Sequence, residues 1–186
     1  MNALTQQGAA QRSAVADDHF ALFGLPVRFQ LDSVRLAAAY RQLQSQVHPD
    51  RHAGGSVTEQ RLALQWATRA NEAYQTLRNP LERACYLLRL RHGMVALSES
   101  AVLPANFLLQ QMDWHEQLGQ ARRQRDGAAL GQLQTLLCAE RFALHGQLAV
   151  RLDVEGDAAG AAELVCKLNC IHKLITAIDE ARLALE

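Results

Sequence analysis

His48, Pro49 and Asp50 stand in a row, followed by Arg51 and His52. An imidazole two residues from a carboxylate suits proton exchange, or a charge-assisted contact with a cation on another molecule. The first use needs more machinery than the chain supplies. No nucleophile pattern, glycine-rich phosphate loop or strand–helix crossover accompanies these residues. A second group, Cys166, Cys170 and His172, has the residue types of a metal site. Structural zinc takes about four convergent ligands, and no Cys-x-x-Cys pair exists to begin the set. The two thiols lie among Val165, Leu168 and Ile171, which predicts unligated core cysteines. The third group is Leu108, Leu109, Met112, Asp113 and Glu116. Three large apolar side chains beside two carboxylates have the chemistry of a protein contact. His92, His115 and His145 are expected at the surface or its boundary.

The elements that position these groups follow from periodicity. Leu36, Tyr40, Leu43 and Val47 recur at steps of four, three and four, one stripe of a helix beginning after Asp32. Pro49 lacks an amide hydrogen and disfavours helical geometry in His48, so the helix stops there. Ser56 and Glu59 have capping-box spacing and open a second helix. Its stripe is Ala63, Ala67, Ala70, Tyr74 and Leu77, small enough for two helix axes to approach closely. Gly54 and Gly55 give the loop between them turn freedom. The product is an antiparallel hairpin with His48, Pro49, Asp50 and Arg51 at its tip. Upstream, Asp17 or Asp18 caps a short helix whose Phe20 and Phe23 close the hairpin, and Gly24 stops it. Downstream, Asn79-Pro80 starts another helix, ending at His92-Gly93.

Period is lost over residues 93–103, which reads as a linker. Three helices follow: Pro104 to about Arg123, about 128–153, and about 158 to the end, with turns at Asp126-Gly127 and Glu155-Gly156-Asp157. The second carries Leu130, Leu133, Leu137, Phe142, Leu144 and Leu148 among its apolar positions; the third has a seam of Leu164, Leu168, Ile171, Ile175 and Ile178. Short turns between long helices imply an antiparallel three-helix bundle. In the first of the three, Phe107, Trp114, Leu118 and Ala121 share the face suited to the core. Leu108, Leu109, Met112, Asp113 and Glu116 fall opposite, where a surface helix is normally polar. A partner would explain that face. So would cover by the linker or the first domain, or a seam between two copies of the chain.

The hairpin resembles a J-domain, on Tyr40-Arg41-Gln42-Leu43, His48-Pro49-Asp50 and the run from Asn71 through Ala73, Tyr74 and Leu77. From about His19 onward the chain is more closely similar to the HscB family. The residues that carry this are Phe20 to Pro26, Thr76 to Leu81, Arg83-Ala84 and Tyr86-Leu87-Leu88, the likeness loosening after Leu118. The resemblance implies an all-α, L-shaped protein: a flexible tail (1–16), a J-domain (17–92), a linker (93–103) and a three-helix scaffold-binding domain (104–186). It implies a co-chaperone of iron–sulfur cluster assembly. His48, Pro49, Asp50, Arg51 and Arg41 would meet the DnaK-type chaperone HscA and stimulate its ATP hydrolysis. Leu108, Leu109, Met112, Asp113 and Glu116 would hold the scaffold protein IscU. The alternative is a general J-protein with another client. Arg51 stands where the family usually has lysine, and Gln44 and Gln46 dilute the charge near the tip. Gln120 stands where relatives often have an acid, and Cys170 where they can have an aromatic residue.

Bulk properties agree with that reading. The chain has 186 residues, and Lys+Arg and Asp+Glu both total 19, so it lacks the basic excess that broad nucleic-acid binding needs. Low aromatic and proline content favours helices. No apolar run reaches the roughly 18 residues of a membrane span, and the N-terminus has no secretory pattern. The expectations are therefore a cytoplasmic monomer with reduced cysteines, no cofactor, no metal and no enzymatic activity of its own.

Overall fold

The computed structural model describes residues 18–47, 56–93 and 103–185, and all regular structure among them is helical. By packing, the chain forms two compact units, residues 1–83 and 84–186.

The first unit is built on α1 (His19–Leu22), α2 (Ser33–Val47) and α3 (Val57–Arg78), with α1 and α2 both packed on α3. Each helix starts at a side chain chosen for the purpose. Asp18 accepts from the Phe20 amide at 2.9 Å, and Asp32 accepts from Val34 at 2.9 Å and Arg35 at 3.2 Å. At α3, the Ser56 amide donates to Glu59 Oε2 at 2.7 Å and the Glu59 amide returns to Ser56 Oγ at 3.3 Å, a complete capping box. Ala63, Ala67, Ala70, Ala73 and Leu77 form the buried stripe of α3. Phe20, Phe23, Phe29 and Leu36 fill the space around it. Arg83, at the edge of this unit, donates to Leu77 O and sets its guanidinium 5.1 Å from the Phe29 ring centre.

Helix α4 (Pro80–His92) is capped by Asn79, which accepts from the Leu81 amide at 2.9 Å. The division between the two units falls within it. Its second half buries Ala84, Leu87 and Leu88. Arg91 there donates to Leu152 O and pairs with Asp153 at 4.0 Å.

The second unit continues as α5 (Ala105–Gln124), α6 (Gly127–Val150), a π-helical turn (Arg151–Glu155) and α7 (Ala158–Leu183). The three long helices pack on one another. Asp126 accepts from the Ala128 and Ala129 amides, both at 3.0 Å, and Asp157 from Gly160 at 2.9 Å. The anticipated seam of α7 is buried throughout, with Leu174 added. Two details differ from the sequence reading. The wider turn at Arg151–Glu155, ended by Gly156 at φ 65°, carries the helical path beyond Val150. Phe142, counted among the apolar positions of α6, is 81% exposed. Among the described residues no helix is long and apolar enough to cross a membrane.

Candidate functional site

In sequence, the expected hairpin tip lies between α2 and α3. Residues 48–51, and with them His48, Pro49, Asp50 and Arg51, lie outside the described residues. Among the described residues, aromatic rings and side-chain amides clamp α2 to α3. Tyr40 and Tyr74 stack across the two helices, 4.2 Å between ring centres and 17° from parallel, with Phe23 edge-on to Tyr40 at 6.4 Å. The Tyr40 hydroxyl donates to Asn71 Oδ1. The Gln44 amide donates to Asn71 Oδ1 and to Tyr40 Oη, each at 2.7 Å. In the sequence, Gln44 signals only a dilution of positive charge. In the structure it fastens α2 to α3 through Asn71, a role that no single-helix pattern signals. Arg41 and Arg35 are exposed on α2.

The second candidate surface lies on α5, and the buried side of that helix explains its rigidity. Trp114 is 2% exposed and meets Phe107 edge-on at 5.9 Å between ring centres. Leu118 and Ala121 are buried on the same face. Lys167 of α7 stands 5.6 Å from the centre of the Phe107 ring and is paired with Glu163 at 2.7 Å. Arg122 reaches across to Ala177 O at 2.6 Å. With one face locked, the other cannot rotate inward. Leu108, Leu109 and Met112 are 44, 67 and 68% exposed, and Asp113 and Glu116 are exposed beside them. Asp113 Oδ2 accepts from Gln117 Nε2 at 2.8 Å, which holds that carboxylate along the helix. The structure thus gathers all five residues on one open face of one helix. It is an exposed apolar patch with an acidic border.

The cysteines are half-buried rather than core. Burial, with added repulsion from Cys170 and Glu163, pushes the Cys166 thiol above its ordinary 9.0. Among the described residues no group of His, Cys, Asp and Glu side chains is placed to hold a metal ion. A cleft of about 720 Å³ lies against α3, lined by His19, Leu64, Trp66, Arg69 and Glu72 among others. Thr68, its one hydroxyl among the described lining residues, donates to Leu64 O at 3.0 Å.

Fold and site together define an all-helical protein with an exposed apolar, acid-edged surface on α5. The profile described as "HSCB C-terminal oligomerisation domain" matches residues 103–179. A co-chaperone HscB homologue from Ralstonia nicotianae is 48% identical over 162 residues, covering 87% of this chain and 92% of that one. One from Burkholderia mallei is 47% identical, covering 87% and 91%. The solved chaperone HscB from Vibrio cholerae superposes with a TM-score of 0.79 at 34% identity, over 91% of this chain and 99% of that one. The human co-chaperone HscB gives 0.83 at 26% identity, over 90% and 83%. The chain belongs to the HscB family of co-chaperones. Its first unit carries the J-domain and its second the C-terminal helical domain.

Proposed function

We propose that this co-chaperone couples an iron–sulfur scaffold protein of the IscU type to a DnaK-type chaperone of the HscA type. The α5 face, Leu108, Leu109, Met112, Asp113 and Glu116, holds the scaffold. The hairpin tip, His48, Pro49, Asp50 and Arg51, engages the chaperone, with Arg41 on the helix leading to it, and accelerates its ATP hydrolysis. The protein makes and breaks no bonds itself, and its site of action is the cytoplasm.

One observation carries the scaffold half of this reading. Three large apolar side chains stay in water on a helix whose opposite face is fixed by Trp114 and Phe107. Covering them would release ordered water, at about 25 cal/mol for each Å² of apolar surface removed. Methionine adapts to a partner's shape, and Asp113 and Glu116 select a basic one. For the chaperone half, Asp50 offers an anionic acceptor to an arginine, and Pro49 fixes the loop without ordering cost. Holding both partners on one body raises the effective concentration of each for the other. Acceleration of hydrolysis requires that the tip bind the hydrolysis-competent chaperone state more tightly than the resting one.

The test is ATP turnover by the chaperone, with and without this protein and the scaffold. Asp50→Asn should abolish stimulation and leave scaffold capture intact. Leu108→Ala with Met112→Ala should lose scaffold capture and keep basal stimulation. Equal loss of both activities in both variants would sink the two-surface reading. Stimulation without any selective capture of the scaffold would point to a general J-protein serving another client.

A further inference from the structure

The helical path that continues α6 is not completed by its own amides. A regular α-helix would send the Gly156 amide to Leu152 O, and a π-helix the Asp157 amide. Here both donate to Arg151 O instead. Leu152 O is left without the two amides that helical geometry would bring to it, as carbonyls at a helix C-terminus are. The residue is only 3% exposed, so water is a poor substitute.

Arg91 answers that carbonyl from another element. Its guanidinium donates to Leu152 O through one nitrogen, and its other terminal nitrogen stands 4.0 Å from the Asp153 carboxylate, whose side chain is 8% exposed. One planar cation thus serves two neighbouring needs, a carbonyl missing its helical donors and a carboxylate largely withdrawn from water. It also sets positive charge at the negative end of a helix. A lysine would supply the charge without the fork of donors.

Arg91 occupies a particular place in the chain. Helix α4 is a single run of 13 residues, about 20 Å long, and the division between the two compact units falls inside it, after Arg83. Ala84, Leu87 and Leu88 bury one stripe of its second half, and Arg91 extends that stripe by one step of the helical repeat. We propose that Arg91 is a positioning residue: by clasping Leu152 O and Asp153 it holds the second half of α4 fast on the second unit, and so keeps stiff the helix that joins the chaperone-binding unit to the scaffold-binding one. The inference rests on the two-partner reading above. Two sites on one body assist each other to a degree set by the length and stiffness of the piece that joins them. A contact made by no partner-binding residue then sets how much a bound scaffold adds to chaperone ATP turnover.

The test uses the full chain and reads exchange, binding and turnover separately. With no partner present, Arg91→Ala should speed amide exchange over residues 87–92. Its affinities for the scaffold and for the chaperone, each measured alone, should match the parent. The scaffold-dependent increment in chaperone ATP turnover should fall several-fold. Arg91→Lys keeps the charge but not the fork and should lie between. Arg89→Ala removes an exposed charge from the same helix and should leave all readings at the parent level. Unchanged exchange in Arg91→Ala overturns the clasp, and an increment at the parent level overturns the positioning role. An equal loss in Arg89→Ala overturns it too, because charge alone would then explain the effect. Loss of either single-partner affinity in Arg91→Ala would make Arg91 a residue of general stability, with the same consequence. A parent chain that captures no scaffold or gives no stimulation is a different failure: it sinks the two-partner reading, and the positioning role with it.

Discussion

Tyr40 of α2 lies flat on Tyr74 of α3, their ring centres 4.2 Å apart. The pair joins the middle of α2 to the C-terminal part of α3, and the Tyr40 hydroxyl donates to Asn71 Oδ1. Removing either ring should therefore loosen the hairpin. Tyr40→Ala, at a half-buried position, is expected to cost about 2 kcal/mol, below the 3–5 kcal/mol of a fully buried aromatic. Tyr40→Phe keeps the stack and loses the two hydrogen bonds of the hydroxyl, to Asn71 and from Gln44, together about 1 kcal/mol at this partly exposed position. Denaturant titration checks both. Equal losses would mean that the hydroxyl, and not the ring pair, joins the helices.

The two faces of α5 should separate under substitution. Trp114→Ala opens a cavity in the bundle and should cost about 3–5 kcal/mol. Leu109→Ala and Met112→Ala remove side chains already in water, so stability should stay within about 0.5 kcal/mol of the parent. Binding of the scaffold should show the opposite ranking for Met112→Ala. A large loss of stability there would mean that Met112 packs against the chain, and the proposed contact would fail.

These relationships were unevenly legible in the sequence. The caps Asn79, Asp126 and Asp157 and the seam of α7 could be read because each is a local rule, a side chain serving its own helix. The open face of α5 could be read for the same reason, since a stripe and its opposite are fixed by one helical period. Gln44 could not, because one of its two partners, Asn71, lies on another helix, and only tertiary pairing brings it within reach. Phe142 is the reverse case. An aromatic in an apolar helix looks like core, but the buried arc of α6 is centred on Leu133, Leu137 and Leu144, and Phe142 projects well outside it. The division of the chain within α4 also leaves no periodic trace, because the helix continues unbroken while its packing partners change.

Cys166 gives a pH prediction. Its thiol is raised by burial, with Cys170 and Glu163 adding repulsion, so the folded chain retains a proton that the unfolded chain releases. That contribution is complete below the unfolded thiol's pKa and is lost as pH rises from there through the folded value. Cys166→Ser should shrink the fall in melting temperature between neutral pH and about pH 10. Parallel declines for parent and variant would show that Cys166 titrates alike in both states.

The capping box at Ser56 links stability to the proposed chaperone contact. It is the first described residue after the loop, and its amide, its hydroxyl and the Glu59 carboxylate form a closed set of hydrogen bonds at 2.7–3.3 Å. Those bonds fix where α3 begins. Ser56→Ala should cost about 1 kcal/mol, typical of a lost cap. Ser56→Asp should recover most of it, since a carboxylate caps as well and favours the positive end of the helix. The functional consequence is specific to the tip. Ser56→Ala should speed amide exchange at Glu59 and Gln60 and lower chaperone stimulation several-fold, while scaffold capture on α5 stays at the parent level. Faster exchange with unchanged stimulation would show that the tip keeps its working geometry without the cap, leaving Pro49 and the Tyr40–Tyr74 clamp to hold it.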